Sequence, residues 1–106
     1  MFVISLTYLK ANSVVDEQLE AHRAYLDAYF EKGILVASGP KVPRDGGIIL
    51  ATGVSRAELE TIAQEDPFFR HGLSKYEITE FIPVKTNKAL SAVKTDAGSY
   101  LNARKT

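Results

Sequence analysis

Six segments in the order strand, helix, strand, strand, helix, strand predict an α+β domain of the ferredoxin-like kind. Three observations carry that prediction: apolar residues spaced by two at the amino end, a helical stripe closed by a glycine, and a second helix opened by a capping box and closed before a proline. The 106 residues are 45% apolar and 25% charged, which suits one domain around one core.

The first strand is read from Phe2 to Leu9, where Phe2, Ile4, Leu6 and Tyr8 alternate with Val3, Ser5, Thr7 and Leu9. After an Asn12-Ser13 break, a helix is expected from about Val15 to Lys32. Its acidic opening (Asp16, Glu17, Glu20) suits the positive end of the helix dipole, and Gly33 supplies a left-handed stop. The apolar run Ile34 to Gly39 makes a second strand, Lys41 to Gly46 a polar loop, and Gly47 to Gly53 a third strand. Ser55-Arg56-Ala57-Glu58 spells a capping box for a helix bearing Leu59, Ile62 and Ala63, which ends near Asp66 because Pro67 disfavours helical geometry before it. The last strand runs from about Lys75 to Val84. Right-handed crossovers then place both helices on one face of an antiparallel sheet. The other face is also partly apolar, so a homodimer through the open sheet face is expected, burying about 800 Å² per partner.

Charge and composition exclude several classes. Cysteine is absent, which removes disulfides and thiolate chemistry, and two histidines without cysteines give no cluster at metal-ligand spacing. Residues 1–84 carry 8 Lys and Arg against 12 Asp and Glu, a net of −4; residues 85–106 carry 5 against 1, a net of +4. An acidic body argues against nucleic acid as a partner. The division into a domain over 1–84 and a basic extension over 85–106 follows, with the extension solvated or docked on the partner subunit. No apolar run approaches the roughly 20 residues of a membrane span, and Met1 to Leu6 shows neither a basic leader nor a small-residue cleavage site, so a cytoplasmic protein is expected.

Three places break the apolar pattern. His22 stands in the stripe Leu19, His22, Leu26, Tyr29, where periodicity asks for an apolar side chain. Continuing the second stripe beyond Ala63 by three residues reaches Asp66, on a helix expected to lie in the same layer. If the two meet, the carboxylate fixes the imidazole's tautomer and leaves the other ring nitrogen free to exchange a proton, an acid/base dyad. The plainer alternative is a satisfied core histidine, with Asp66 paired to Arg70. Ser38-Gly39-Pro40 offers a hydroxyl and an unobstructed backbone at a strand end, a place where a ligand can approach closely or simply a turn. Phe68 and Phe69 follow Asp66 and are candidates to wall a pocket. Gly46-Gly47 leads into a strand and is not a phosphate loop; no nucleophile elbow occurs.

His22 with Arg23-Ala24-Tyr25-Leu26, Gly33, Ser38-Gly39-Pro40, Gly46-Gly47, and Asp66-Pro67-Phe68 before Gly72-Leu73 together resemble the YCII-related family over about Met1 to Val84. The resemblance implies a dimeric α/β barrel with a cleft lined by a His and an Asp, here His22 and Asp66, and Ser38 beside them. It further implies kinship with a dehydrochlorinase of chlorinated hydroquinones, within a superfamily that includes muconolactone isomerases. Two functions are therefore expected in competition. One is a lyase or isomerase without cofactor or metal, with His22 and Asp66 catalytic and Ser38, Gly39, Pro40 and Phe68 holding a small oxygenated molecule. The other is a module that only binds such a molecule or dimerises.

Overall fold

The computed structural model describes residues 1–95. Its sheet has four strands: β1 (Phe2–Tyr8), β2 (Leu35–Pro40), β3 (Gly46–Ala51) and β4 (Ser74–Glu80). Their spatial order is β2-β3-β1-β4 and every neighbouring pair is antiparallel. Each helical connection therefore crosses one intervening strand, which is the ferredoxin-like arrangement.

The inner residues of β1, Phe2, Ile4 and Leu6, are all but sealed from solvent and belong to one core with Leu26, Tyr29 and Leu59. Both crossover helices thus pack on the same face. Across β1, Val3 pairs with Leu50 and Ser5 with Ile48, and these four point to the open face, where they remain half-buried. An irregularity between Leu35 and Ala37 lets Leu35 stay in the core while Ala37 joins Leu50 on the open side.

The first helical region departs from the expected single helix. It consists of α1 (Asn12–Val15), a 3-10 turn over Asp16–Gln18, and α2 (Leu19–Glu31). Gln18 leaves helical geometry (φ −110°, ψ 9°), and Asn12 and Ser13, expected as a break, instead form the first turn behind an extended Ala11. Gly33 (φ +77°) then ends the region in the left-handed conformation that other side chains resist.

The second region is α3 (Arg56–Gln64) followed by α4 (Pro67–Arg70). Ser55 caps α3 by accepting the Glu58 N–H at 3.1 Å, and the Glu58 carboxylate takes the Ser55 hydroxyl rather than its N–H. Asp66 does not extend the α3 stripe. It is extended backbone (φ −63°, ψ 127°) that caps α4, because Pro67 both forbids helix before itself and starts one well. The last strand stops at Glu80, so Phe81 to Val84 lie beyond it. Further on, Lys88–Val93 form a 3-10 turn and the Thr95 N–H returns to the Pro83 carbonyl. Of the basic extension, Arg104 and Lys105 lie outside the described residues. Among the described residues no helix is long and apolar enough to cross a membrane.

Candidate functional site

Asp66 is the most completely enclosed charged side chain of the core, at 0% exposure. A carboxylate is tolerated there only if hydrogen bonds replace the water it has lost. Three do. Oδ1 accepts from His22 Nδ1 at 2.8 Å and from the Phe68 N–H at 2.9 Å, while Oδ2 accepts from the Tyr76 hydroxyl at 2.5 Å. One of these donors, the Phe68 N–H, follows from local chemistry: an Asp before Pro reaches the N–H two residues on, as capping residues do. Another, His22, is brought from α2. The third comes from β4, whose alternation turns Ser74, Tyr76 and Ile78 to the helix side.

With three donors converging, Asp66 serves as an acceptor, so Nδ1 is the imidazole nitrogen that carries hydrogen. His22 sits on the inward face of α2, and its ring stacks on Phe68 with centroids 3.9 Å apart and planes 4° from parallel. Phe68 in turn meets Tyr8 edge-on at 6.0 Å. Side-chain position is therefore fixed on two sides, by a hydrogen bond in the ring plane and by a ring against its face. Nε2 has no hydrogen-bond partner among the described residues, and His22 lines a cavity of about 510 Å³, a volume suited to a small organic molecule.

That cavity lies between α2 and the β2–β3 side of the sheet. His22, Phe68, Ser38, Gly39 and Pro40 all contribute to its lining. Phe69 does not: it is 43% exposed, packs on Tyr76 at 5.6 Å, and faces a smaller hollow with Arg56 and Glu60. His71 is exposed in the turn after α4. Tyr8, one of the aromatics whose direction the sequence left open, also lines the cavity, and sequence reasoning missed the charged members Asp16, Arg23 and Arg44. Arg44 rides on the β2–β3 loop, which is pinned by the Tyr8 N–H to the Asp45 carbonyl at 2.8 Å and the Lys41 N–H to the Gly46 carbonyl at 3.0 Å. Gly46 is required at this junction, since a Cβ there would lie 1.8 Å from the Leu6 carbonyl oxygen.

Electrostatics separate the interior from the rim. Burial, then the nearby Asp66 charge and its hydrogen bond, hold the Tyr76 hydroxyl far above the ordinary phenol range. Burial is also the main reason Tyr25, which donates to the Ile62 carbonyl at 2.7 Å, is raised. Tyr29 is pushed up to about 12, chiefly by its 2.6 Å hydrogen bond to Glu65. At the rim, the Arg44 guanidinium hydrogen-bonds Asp16 at 2.5 Å and holds that carboxyl below its usual value. Among the described residues no group of three or more His, Cys, Asp or Glu is placed to hold a metal ion.

The layered sheet and its strand order define an α+β protein of the ferredoxin-like fold class. Within that class the chain belongs to the YCII-related family, whose domain profile matches residues 1–82. Among solved structures it is similar to 5-chloro-2-hydroxyhydroquinone dehydrochlorinase from Burkholderia phenoliruptrix AC1100, determined as a complex with 2,5-dihydroxybenzoquinone. The TM-score is 0.64 at 21% identity, covering 84% of this chain and 98% of that one. No curated protein matches.

Proposed function

We propose that this protein is a lyase or isomerase of a small oxygenated ring molecule, using His22 and Asp66 as an acid/base dyad without a cofactor. The observation that carries the reading is the 2.8 Å contact between His22 Nδ1 and a sealed, fully hydrogen-bonded Asp66, with His22 itself in the wall of a cavity. In this reading Nε2 takes a proton from the substrate, and Asp66 keeps the ring oriented and its tautomer fixed. Ser38 and the backbone at Gly39 and Pro40 hold a substrate oxygen, and Phe68 packs against the ring.

Two outcomes of that proton transfer fit the site. In a lyase, the electron pair left behind expels a group such as chloride; in an isomerase, His22 returns the proton to a different carbon. The similarity to a dehydrochlorinase supports the first, so 5-chloro-2-hydroxyhydroquinone is the substrate to try. We further read the open sheet face, apolar at Val3, Ile48 and Leu50, as the surface of a homodimer. The protein then works as a dimer in the cytoplasm. Sedimentation over a range of concentrations checks the assembly: a monomer throughout removes it.

The catalytic reading is tested by chloride release from 5-chloro-2-hydroxyhydroquinone and by exchange of substrate hydrogens into deuterated water. Positioned proton transfer contributes about 10²- to 10⁴-fold, so His22→Ala should lose at least that much with the far-ultraviolet circular dichroism unchanged. Turnover that survives His22→Ala sinks the dyad. Neither release nor exchange in the wild type would leave a binding module, in which the same pair only locks the core.

A further inference from the structure

We propose that the cavity selects small rings bearing an ionised acidic group, a carboxylate or a phenolate, whose charge is received by Arg23 and Arg44. This rests on the reading of the cavity as a substrate site and adds the class of molecule it takes. The lining is divided by chemistry. Leu6, Leu19, Leu26, Ile49 and Phe68 give apolar surface for a ring, whereas Asp16, Arg23 and Arg44 are its charged members beside His22. The Asp66 carboxylate is not part of that surface, being sealed behind its three donors.

Two guanidinium groups against one carboxylate leave one positive charge over, before any protonation of His22. The single carboxylate is already engaged. Arg44 Nη2 donates to Asp16 Oδ1 at 2.5 Å, and the same guanidinium carbon stands 5.5 Å from the centre of the Tyr8 ring. This contact uses one of five donors, leaving further N–H groups for a ligand. Arg23, one residue from His22 on α2, has neither an ion-pair nor a hydrogen-bond partner among the described residues. A neutral ring would leave that charge unmatched, and a cationic one would be repelled by it. An anionic ring satisfies both the apolar walls and the charge, which a concave, partly desolvated site makes more effective than a flat surface does.

The test is a nuclear magnetic resonance titration of the full chain with four single-ring probes: benzoate, 2,4-dinitrophenolate, benzamide and benzylammonium. At low ionic strength, at least one of the two anions is expected to shift the signals of Arg23, Arg44 and Ile49 and to bind about tenfold more tightly than benzamide. Benzoate speaks for a carboxylate and dinitrophenolate for a phenolate. The preference should shrink as salt is added and fall severalfold in Arg44→Gln and in Arg23→Gln, the second being an exposed helix position whose change leaves the fold intact. Equal affinity for benzamide, preference for benzylammonium, or no response to either anion at millimolar concentration overturns the proposal. Because the readout is binding, an anion preference retained in His22→Ala stands even if no turnover is ever found. Turnover of a neutral substrate with no anion preference would overturn this inference alone.

Discussion

Asp66 and Asp16 both serve the same cavity, the first from behind its wall and the second at its rim. Asp66 is fully buried and accepts hydrogen bonds from α2, α4 and β4, whereas the Asp16 side chain is 46% exposed and holds the Arg44 guanidinium. A buried carboxylate ties three elements together because nothing else can solvate it; an exposed one competes with water and salt for its partner. The contrast separates what must be rigid from what can adjust. The imidazole is held in one place, while the charged rim above it is free to rearrange around a ligand.

The largest effect expected from this contrast is on stability. Asp66→Ala strands the Nδ1–H of His22, the Phe68 N–H and the Tyr76 hydroxyl in the interior, and each buried donor left unpaired costs about 1–3 kcal/mol. Urea unfolding should show that loss as a lower midpoint with an unchanged slope. A loss under 1 kcal/mol would mean that water reaches the pair and that the wall is not sealed.

Tyr76→Phe is the intermediate case, since it keeps the ring packed on Phe69 but removes the 2.5 Å donor to Oδ2. About 1–3 kcal/mol should be lost. A purely structural role ends there. If Tyr76 also positions the dyad, the His22 ring-proton signals, one of only two histidine sets in the chain, should move from their wild-type positions at a fixed pH, because a carboxylate with one donor fewer pulls harder on the Nδ1–H. Unmoved signals would confine Tyr76 to packing.

The two regions were also unequally legible in the sequence. The order of elements could be read because each is announced locally: alternation in β1, Gly33 after α2, and the Ser55 capping box before α3. His22 was readable for the same reason, as a polar residue on an apolar helical stripe. Asp66 was singled out through a stripe it does not continue. Pro67 breaks that periodicity, and what places the carboxylate is capping of α4, a four-residue helix too short to show a period. Tyr76 gave a weaker signal, since a tyrosine in a half-buried strand is ordinary until its hydroxyl is known to need a partner. Arg44 gave none. It lies in the polar loop between β2 and β3, and its path to the cavity depends on how Tyr8 and Gly46 fasten that loop across the sheet. Long-range placement of this sort is written in pairing between strands rather than in any local pattern.

The smallest effect belongs to the rim. Arg44 hydrogen-bonding holds Asp16 below the ordinary value of 3.8, so the pair's contribution to stability is present above that pH and is lost as pH falls through the depressed value in the folded protein. Asp16→Asn should therefore lower the melting temperature slightly near neutrality, and wild type and variant should converge in strong acid. Added salt should bring them together at neutral pH as well, because both partners face water. A melting-temperature difference that persists in molar salt would show that the rim is as firmly built as the interior. The division between a fixed imidazole and an adjustable collar of charge would then be wrong, and Arg44 would hold one position whether or not a ligand is present.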